Sequence, residues 1–145
     1  MNSTIPLISS GTTGPLGVLH LPRLWLKVSL ENAGKLNSEY PGIGGGYDQM
    51  VLDGLGLNKD AFITFMQTKP TYTQLEAWVL EQSGGALDAD AVTKLNDSIT
   101  GYIHADDTRK EILAACGLED NGTILGAVNL NNLDDWQSFH AQEIA

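Results

Sequence analysis

Two short stretches of the chain carry residue types that can hold or move charge. The first is Leu19-His20-Leu21-Pro22-Arg23, followed by Lys27 four residues further on. An arginine fork and a lysine ammonium match the charge and donor geometry of a carboxylate or phosphate. An imidazole titrates near neutrality and can shuttle a proton. The second stretch is the glycine run Gly42-Ile43-Gly44-Gly45-Gly46 leading into Tyr47-Asp48. Such a loop presents backbone N–H groups at a helix start, a place suited to an anion. Together His20, Arg23, Lys27, Tyr47 and Asp48 make a candidate pocket for a small anionic ligand. Each also has a plainer reading. His20 lies between Leu19 and Leu21, which suits a half-buried, hydrogen-bonded histidine. The glycine run suits a flexible connector. Asp48 competes for the same positive helix end that an anion would use.

The remaining chemistry-bearing residues give weaker patterns. His20, His104 and His140 are far apart and never paired at the i, i+4 spacing of metal-binding helices, so no metal is expected. His104-Ala105-Asp106-Asp107 offers a nitrogen and two carboxylates, but the two acids also suit the opening of a helix. The pairs Asp88 with Asp90 and Asp134 with Asp135 also fall at expected helix starts, where acids complement the helix dipole. No Walker, Rossmann or Gly-x-Ser-x-Gly pattern occurs, and no cofactor is expected. Cys116 is the single cysteine, in an apolar run that suits a small core residue.

The elements that must position these residues are helical. Leu21, Leu24, Trp25 and Val28 stand at i, i+3, i+4 and i+7, predicting a first helix from about Pro22 to Ala33. Arg23, Lys27 and Glu31 share its opposite face, where solvent is expected. Tyr47, Met50, Val51 and Leu55 predict a second helix closing at Gly56. Asn58 caps a third, which Pro70 stops. Thr73-Gln74-Leu75-Glu76 has capping-box spacing for a fourth, ended by Ser83-Gly84-Gly85. Asp88 caps a fifth, carrying Val92, Leu95, Ile99 and Tyr102. Thr108 to Glu111 offers a second capping box for a short sixth helix ending at Gly117. Residues 119–130 fit either a loop or a short strand. Asn131 or Asn132 suits the cap of a last helix with Leu133, Trp136 and Phe139. Trp25, Trp78 and Trp136 lie on apolar stripes and are read as core.

The expected fold is therefore all-α: a compact single-domain bundle of six or seven short helices over residues 18–145. A flexible arm rich in Ser, Thr, Gly and Pro occupies residues 1–17. With 145 residues, 42% hydrophobic and 18% charged, one core is the default. No apolar run is long enough for a transmembrane helix. Met1 to Ser10 lacks the basic start and apolar stretch of a secretory signal, so a cytoplasmic location is expected. The formal charge of −10 argues against nucleic acid and anionic membrane as partners. That charge is uneven. Residues 1–38 hold Arg23, Lys27 and Lys35 against Glu31, net +2, which leaves −12 for residues 39–145.

The segment Gly17-Val18-Leu19-His20-Leu21-Pro22-Arg23 with Lys27 resembles a bacterial family, the domain of unknown function DUF5069. The resemblance extends through the Asp48 helix, with its Leu52-Asp53-Gly54-Leu55-Gly56 ending, to the Trp78 helix, covering about residues 14–83. It implies a compact bacterial cytosolic domain in which His20, Arg23, Lys27 and Asp48 are the residues to test first. It carries no activity with it.

Two functions follow as expectations. One is a small helical binding or protein-interaction module, with possible homo-oligomers. The other is a binding protein or enzyme for a small anionic molecule, using a pocket between the His20–Arg23 segment and the Gly42–Asp48 loop. They differ in where Arg23 and Lys27 point: into a cleft shared with His20 and Asp48, or into open solvent.

Overall fold

A computed structural model describes residues 3–145. Seven α-helices follow one another: α1 Leu21–Asn32, α2 Tyr47–Gly54, α3 Lys59–Met66, α4 Tyr72–Gln82, α5 Ala89–Gly101, α6 Asp106–Ala115 and α7 Ala127–Phe139. A π-helical turn, His140–Ile144, ends the chain. The described residues contain isolated β-bridges but no strand. The all-α expectation holds, and no described helix is long and apolar enough to cross a membrane.

Helix α1 is the hub of the fold. Leu21, Leu24 and Val28 enter the main core with Val51 and Leu52 of α2, Phe62 and Met66 of α3, Leu75 and Val79 of α4, and Leu95 and Ile99 of α5. The opposite face of α1 departs from the solvent-facing expectation. Arg23 is 5% exposed and Lys27 6% exposed, and only Glu31 of that stripe lies in water. Period alone shows which residues share a stripe. It does not show what else covers that stripe.

Lys27 is met by Asp48 of α2, and Arg23 is covered by residues 3–17, the stretch expected to be a flexible arm. It lies along α1 as a non-helical strap. Thr4 is bridged to Leu36 and Thr13 to Leu19, Ile5 and Pro6 are buried, and the Pro6 and Ile8 carbonyls accept from Arg23. Its polar composition does not reveal these ties, because they are made by backbone carbonyls. Beyond the strap, Asn96 of α5 accepts from the Leu19 amide and donates to the Gly17 carbonyl, holding the entry to α1.

Helices whose signals are local begin where expected. Asn58 accepts from the Ala61 amide at the start of α3, and Asp88 from the Asp90 amide at the start of α5. Gly117 takes the left-handed conformation after α6, and the Leu118 amide returns to the Leu113 carbonyl as a Schellman closure requires. Gly54 allows α2 to lie against α5, since a Cβ there would meet Leu95 Cδ1 at 2.8 Å.

Three starts differ. The box of α4 is Thr71 with Gln74, two residues ahead of the expected Thr73 with Glu76. Both pairs satisfy the pattern, but the earlier one leaves Glu76 free to turn inward, where it accepts from the Leu16 amide and the Tyr72 hydroxyl. Helix α6 begins at Asp106 after Ala105, so Thr108 lies inside it. Asp106 and Asp107 occupy its first turn. Helix α7 begins at Ala127 rather than at Asn131 or Asn132, because Gly126 bridges Ile103 and the Ala127 amide bonds the Tyr102 carbonyl. Residues 119–126 form a loop apart from that bridge.

A second, smaller core joins α6 to α7 through Ile112, Leu113 and Leu130. Cys116 lies half-buried beside it, near the Leu133 carbonyl. Two tryptophans are packed: Trp25 donates to the Pro70 carbonyl, and Trp78 stacks on Phe65 at 4.9 Å. Trp136 is not core. It projects from α7 and is 60% exposed, while Leu130 and Asp135 of the same helix face inward.

Candidate functional site

His20 is the N-cap of α1 and adopts φ +68°, an uncommon conformation for a residue with a bulky side chain. Its amide bonds the Thr12 carbonyl of the strap, and its carbonyl accepts from Leu24 in the first turn of the helix. The imidazole is thereby directed into the protein, where it is 2% exposed. Nδ1 lies 2.8 Å from Ser10 Oγ and Nε2 lies 2.6 Å from Asp48 Oδ1. Burial lowers the His20 pKa, more than the Asp48 hydrogen bond and charge raise it. Burial alone would raise the Asp48 carboxyl. The bond from His20 and the charge of Lys27 outweigh it and hold the carboxyl below its usual range. A neutral imidazole beside an ionised Asp48 has one self-consistent arrangement: Nε2–H donates to Asp48, and Nδ1 accepts the Ser10 hydroxyl proton.

The other Asp48 oxygen accepts from Lys27 Nζ at 2.6 Å and from the Gly44 amide at 2.7 Å. The glycine loop is therefore tied to the carboxylate at the start of α2. Four residues before Asp135 on α7, Asn131 enters the same region, and Asp135 itself forms a fork with Arg23. The Arg23 Nη1 to Asp135 Oδ2 distance is 2.5 Å, and Nη2 to Oδ1 is 3.1 Å. Tyr40 donates to Asp135 Oδ1 at 3.0 Å while its ring lies 5.9 Å from the guanidinium carbon. Desolvation, with Asp135 next, raises the Tyr40 phenol above its ordinary value. Tyr47 stacks obliquely on His20 and donates to the Ile99 carbonyl, and burial pushes its phenol up to about 12.

His20, Arg23, Lys27, Tyr40, Tyr47 and Asp48 line a cleft of about 360 Å³, with Ser10 and Asp135 behind them, and the volume is within the usual range for small-molecule sites. All five candidate residues, His20, Arg23, Lys27, Tyr47 and Asp48, line it. Tyr102, His104, Asn131 and Asp134 complete the lining, together with Glu39 and Gly45. His104 Nε2 donates to Asn131 Oδ1 at 2.8 Å, which ties the α5–α6 connection to α7.

Ser10, His20 and Asp48 are bonded in the order of a hydrolase triad, but their placement gives the hydroxyl a different job. Ser10 is 1% exposed and does not line the cleft, and both His20 nitrogens are occupied. The hydroxyl orients the ring and has no substrate to attack. Arg23 and Lys27, expected to hold an anion, are each committed to a carboxylate within the protein.

Sequence reasoning did not single out Ser10, Tyr40, Asn131 or Asp135, and it assigned Asp134 and Asp135 to a helix start. The true start at Ala127 puts Asp135 well inside α7, beyond the turn where an acid serves the dipole. A correct start for α7 was the signal that would have marked it.

The fold and site define an all-helical domain with a buried ionic network behind an open cleft. The family model of the domain of unknown function DUF5069 matches residues 9–135, and the chain belongs to that family. The match reaches well past the resemblance expected up to residue 83, through α5, α6 and most of α7. No curated protein matches the chain.

Proposed function

We propose that this domain binds a small polar molecule in the cleft between the start of α1, the Glu39–Asp48 segment and α7. The observation that supports this reading is the concentration of buried ionisable groups on one cleft wall. Burying paired charges rarely gives net stability, because the desolvation cost rivals the attraction. Four such groups lining one concavity, with Asp135 behind them, are better accounted for by the need to hold a rigid polar surface. With Lys27 on Asp48, Arg23 on Asp135 and His20 neutral, the wall carries no net charge. The ligand therefore meets fixed dipoles and aromatic edges there, and among the described residues the lining carboxylates outside any ion pair are Asp134 and Glu39.

A metabolite screen by thermal shift, with hits mapped by amide NMR, tests the proposal. A true ligand raises the melting temperature by mass action and moves the amides of Gly45, Tyr102 and His104. Hits that move only distant amides would overturn it.

A second reading, self-association through α7, draws support from the exposed Trp136 and Ile144. Light scattering that reports a monomer at every concentration would remove it.

A further inference from the structure

We infer that the molecule taken by the cleft is a small organic cation, a protonated amine or guanidinium. Its charge sits between Asp134 and Glu39, and its carbon frame lies against Tyr102. This rests on the cleft reading above and adds the chemical class of the ligand.

Three features of the cleft lead there. The first is how the charges on its walls are spent. Both cations are consumed within the protein, Lys27 by Asp48 and Arg23 by Asp135. Among the described residues, Asp134 and Glu39 take part in no ion pair. The glycine loop offers little to a competing anion, because Asp48 already takes the Gly44 amide and stands in the first turn of α2.

The second is the position of Asp134. It is half-buried, and burial, Asp135 and Glu39 together raise its carboxyl, which Arg23 and His104 only partly offset. A carboxylate held in that place lacks a positive neighbour of its own. A bound cation would supply one, gaining a charge-assisted hydrogen bond in a partly desolvated setting.

The third is the aromatic rim. Tyr102 is exposed at the cleft edge, with its ring edge-on to Tyr47 at 5.5 Å and to His104 at 5.9 Å. The faces of such rings attract cations, and alkyl groups pack on them without losing hydrogen bonds. A second depression of about 470 Å³, lined also by Asn37, Gln137 and Gln142, shares Glu39 and Asp134 with the first. The two carboxylates thus line both depressions, where a cation can be reached from either.

The test is a set of NMR titrations at constant ionic strength, using ¹⁵N-labelled protein. The probes share one carbon frame: n-butylamine hydrochloride and n-butylguanidine hydrochloride against sodium butyrate, n-butyl phosphate and n-butanol. Saturable shifts at Tyr102, His104 and Gly45 are expected with the two cations alone. Asp134→Asn and Glu39→Gln are each expected to weaken them about tenfold or more, the usual loss when a hydrogen bond to a charged group is removed. Both variants should keep the folded amide spectrum. Glu39 is exposed on its loop, so E39Q carries the test if D134N does not fold. Saturation at the same amides by butyrate, butyl phosphate or butanol would overturn the charge assignment and leave the cleft as a binding site. Cation binding unchanged in both variants would overturn the assigned seat. Shifts at no cleft residue with any of the five probes would overturn the inference and the cleft reading together.

Discussion

Two arginines in this protein each grip carboxylates, and the settings differ. Arg23 holds Asp135 in a fork with both side chains buried, while also donating to the Pro6 and Ile8 carbonyls of the strap. Arg109 holds Asp106 one turn back on α6 and Asp120 in the following loop, where Asp106 is open to water. Geometry is similar in the two: short N–H···O contacts and two partners or more. The energetic meaning differs, because water and salt screen the surface set and are excluded from the buried one. The first arrangement joins the strap, α1 and α7 into one wall. The second tidies a loop. An ion pair therefore reports on function only when its removal would strand a charge that water cannot reach.

The sharpest way to break this comparison is Arg23→Ala. It leaves Asp135 buried without its cation, and the expected loss of stability is about 3–5 kcal/mol, read from the denaturation midpoint. A loss near zero would mean that water enters the wall freely, and the contrast with Arg109 would collapse.

A smaller effect is expected from pH. The folded-state pKa of His20 is lowered from 6.5, so the unfolded chain takes up a proton first as the solution is acidified. Stability should be level above about pH 6.5 and fall below it, down to the folded-state value. Asp48 acts in the same direction at lower pH. Its folded pKa is depressed below 3.8, so its contribution is present above that value and lost as pH falls through the folded pKa. Urea midpoints from pH 7.5 to 4.5 check this, and His20→Gln should flatten the upper part of the curve. A curve for His20→Gln that matches the wild type would assign the slope to other groups. The smallest effect belongs to Arg109→Ala, which should lower the midpoint by a small fraction of the Arg23→Ala loss, since Asp106 is open to water and Asp120 partly so.

What could be read from the sequence follows the range of the interaction that decides it. Asn58 and Asp88 cap helices with amides two or three residues away, and their helices begin as expected. Gly117 ends α6 through a bond from Leu118 to Leu113, equally local. His20, Arg23, Lys27, Tyr47 and Asp48 line one cleft because α1 and α2, each marked by its own local pattern, pack against one another. The errors lie where a distant segment decides. The helical period puts Arg23 and Lys27 on a stripe expected to face solvent, because nothing near them in sequence announces the strap and Asp135 over Arg23 or Asp48 over Lys27. Two overlapping capping patterns, Thr71 with Gln74 and Thr73 with Glu76, are equal locally, and the inward pull on Glu76 from Leu16 and Tyr72 separates them. The charge preference of the cleft depends on which cations are already spent, and that is settled by Asp135, far from the rest of the site.

The fork between Arg23 and Asp135 also bears on time. It joins positions 112 residues apart in a protein whose helices close their own bonds over three or four. Helical turns form within about a microsecond, whereas closing so long a loop carries an entropic cost that the chain meets only after neighbouring elements have packed. The fork should then form on the native side of the folding barrier. Its loss should quicken unfolding and leave refolding almost untouched, so that in a chevron plot only the unfolding limb moves. A matching drop in the refolding limb would place the fork in the folding nucleus instead. On that footing the fork governs how long the assembled cleft persists between openings, and the local helices govern how quickly it is rebuilt.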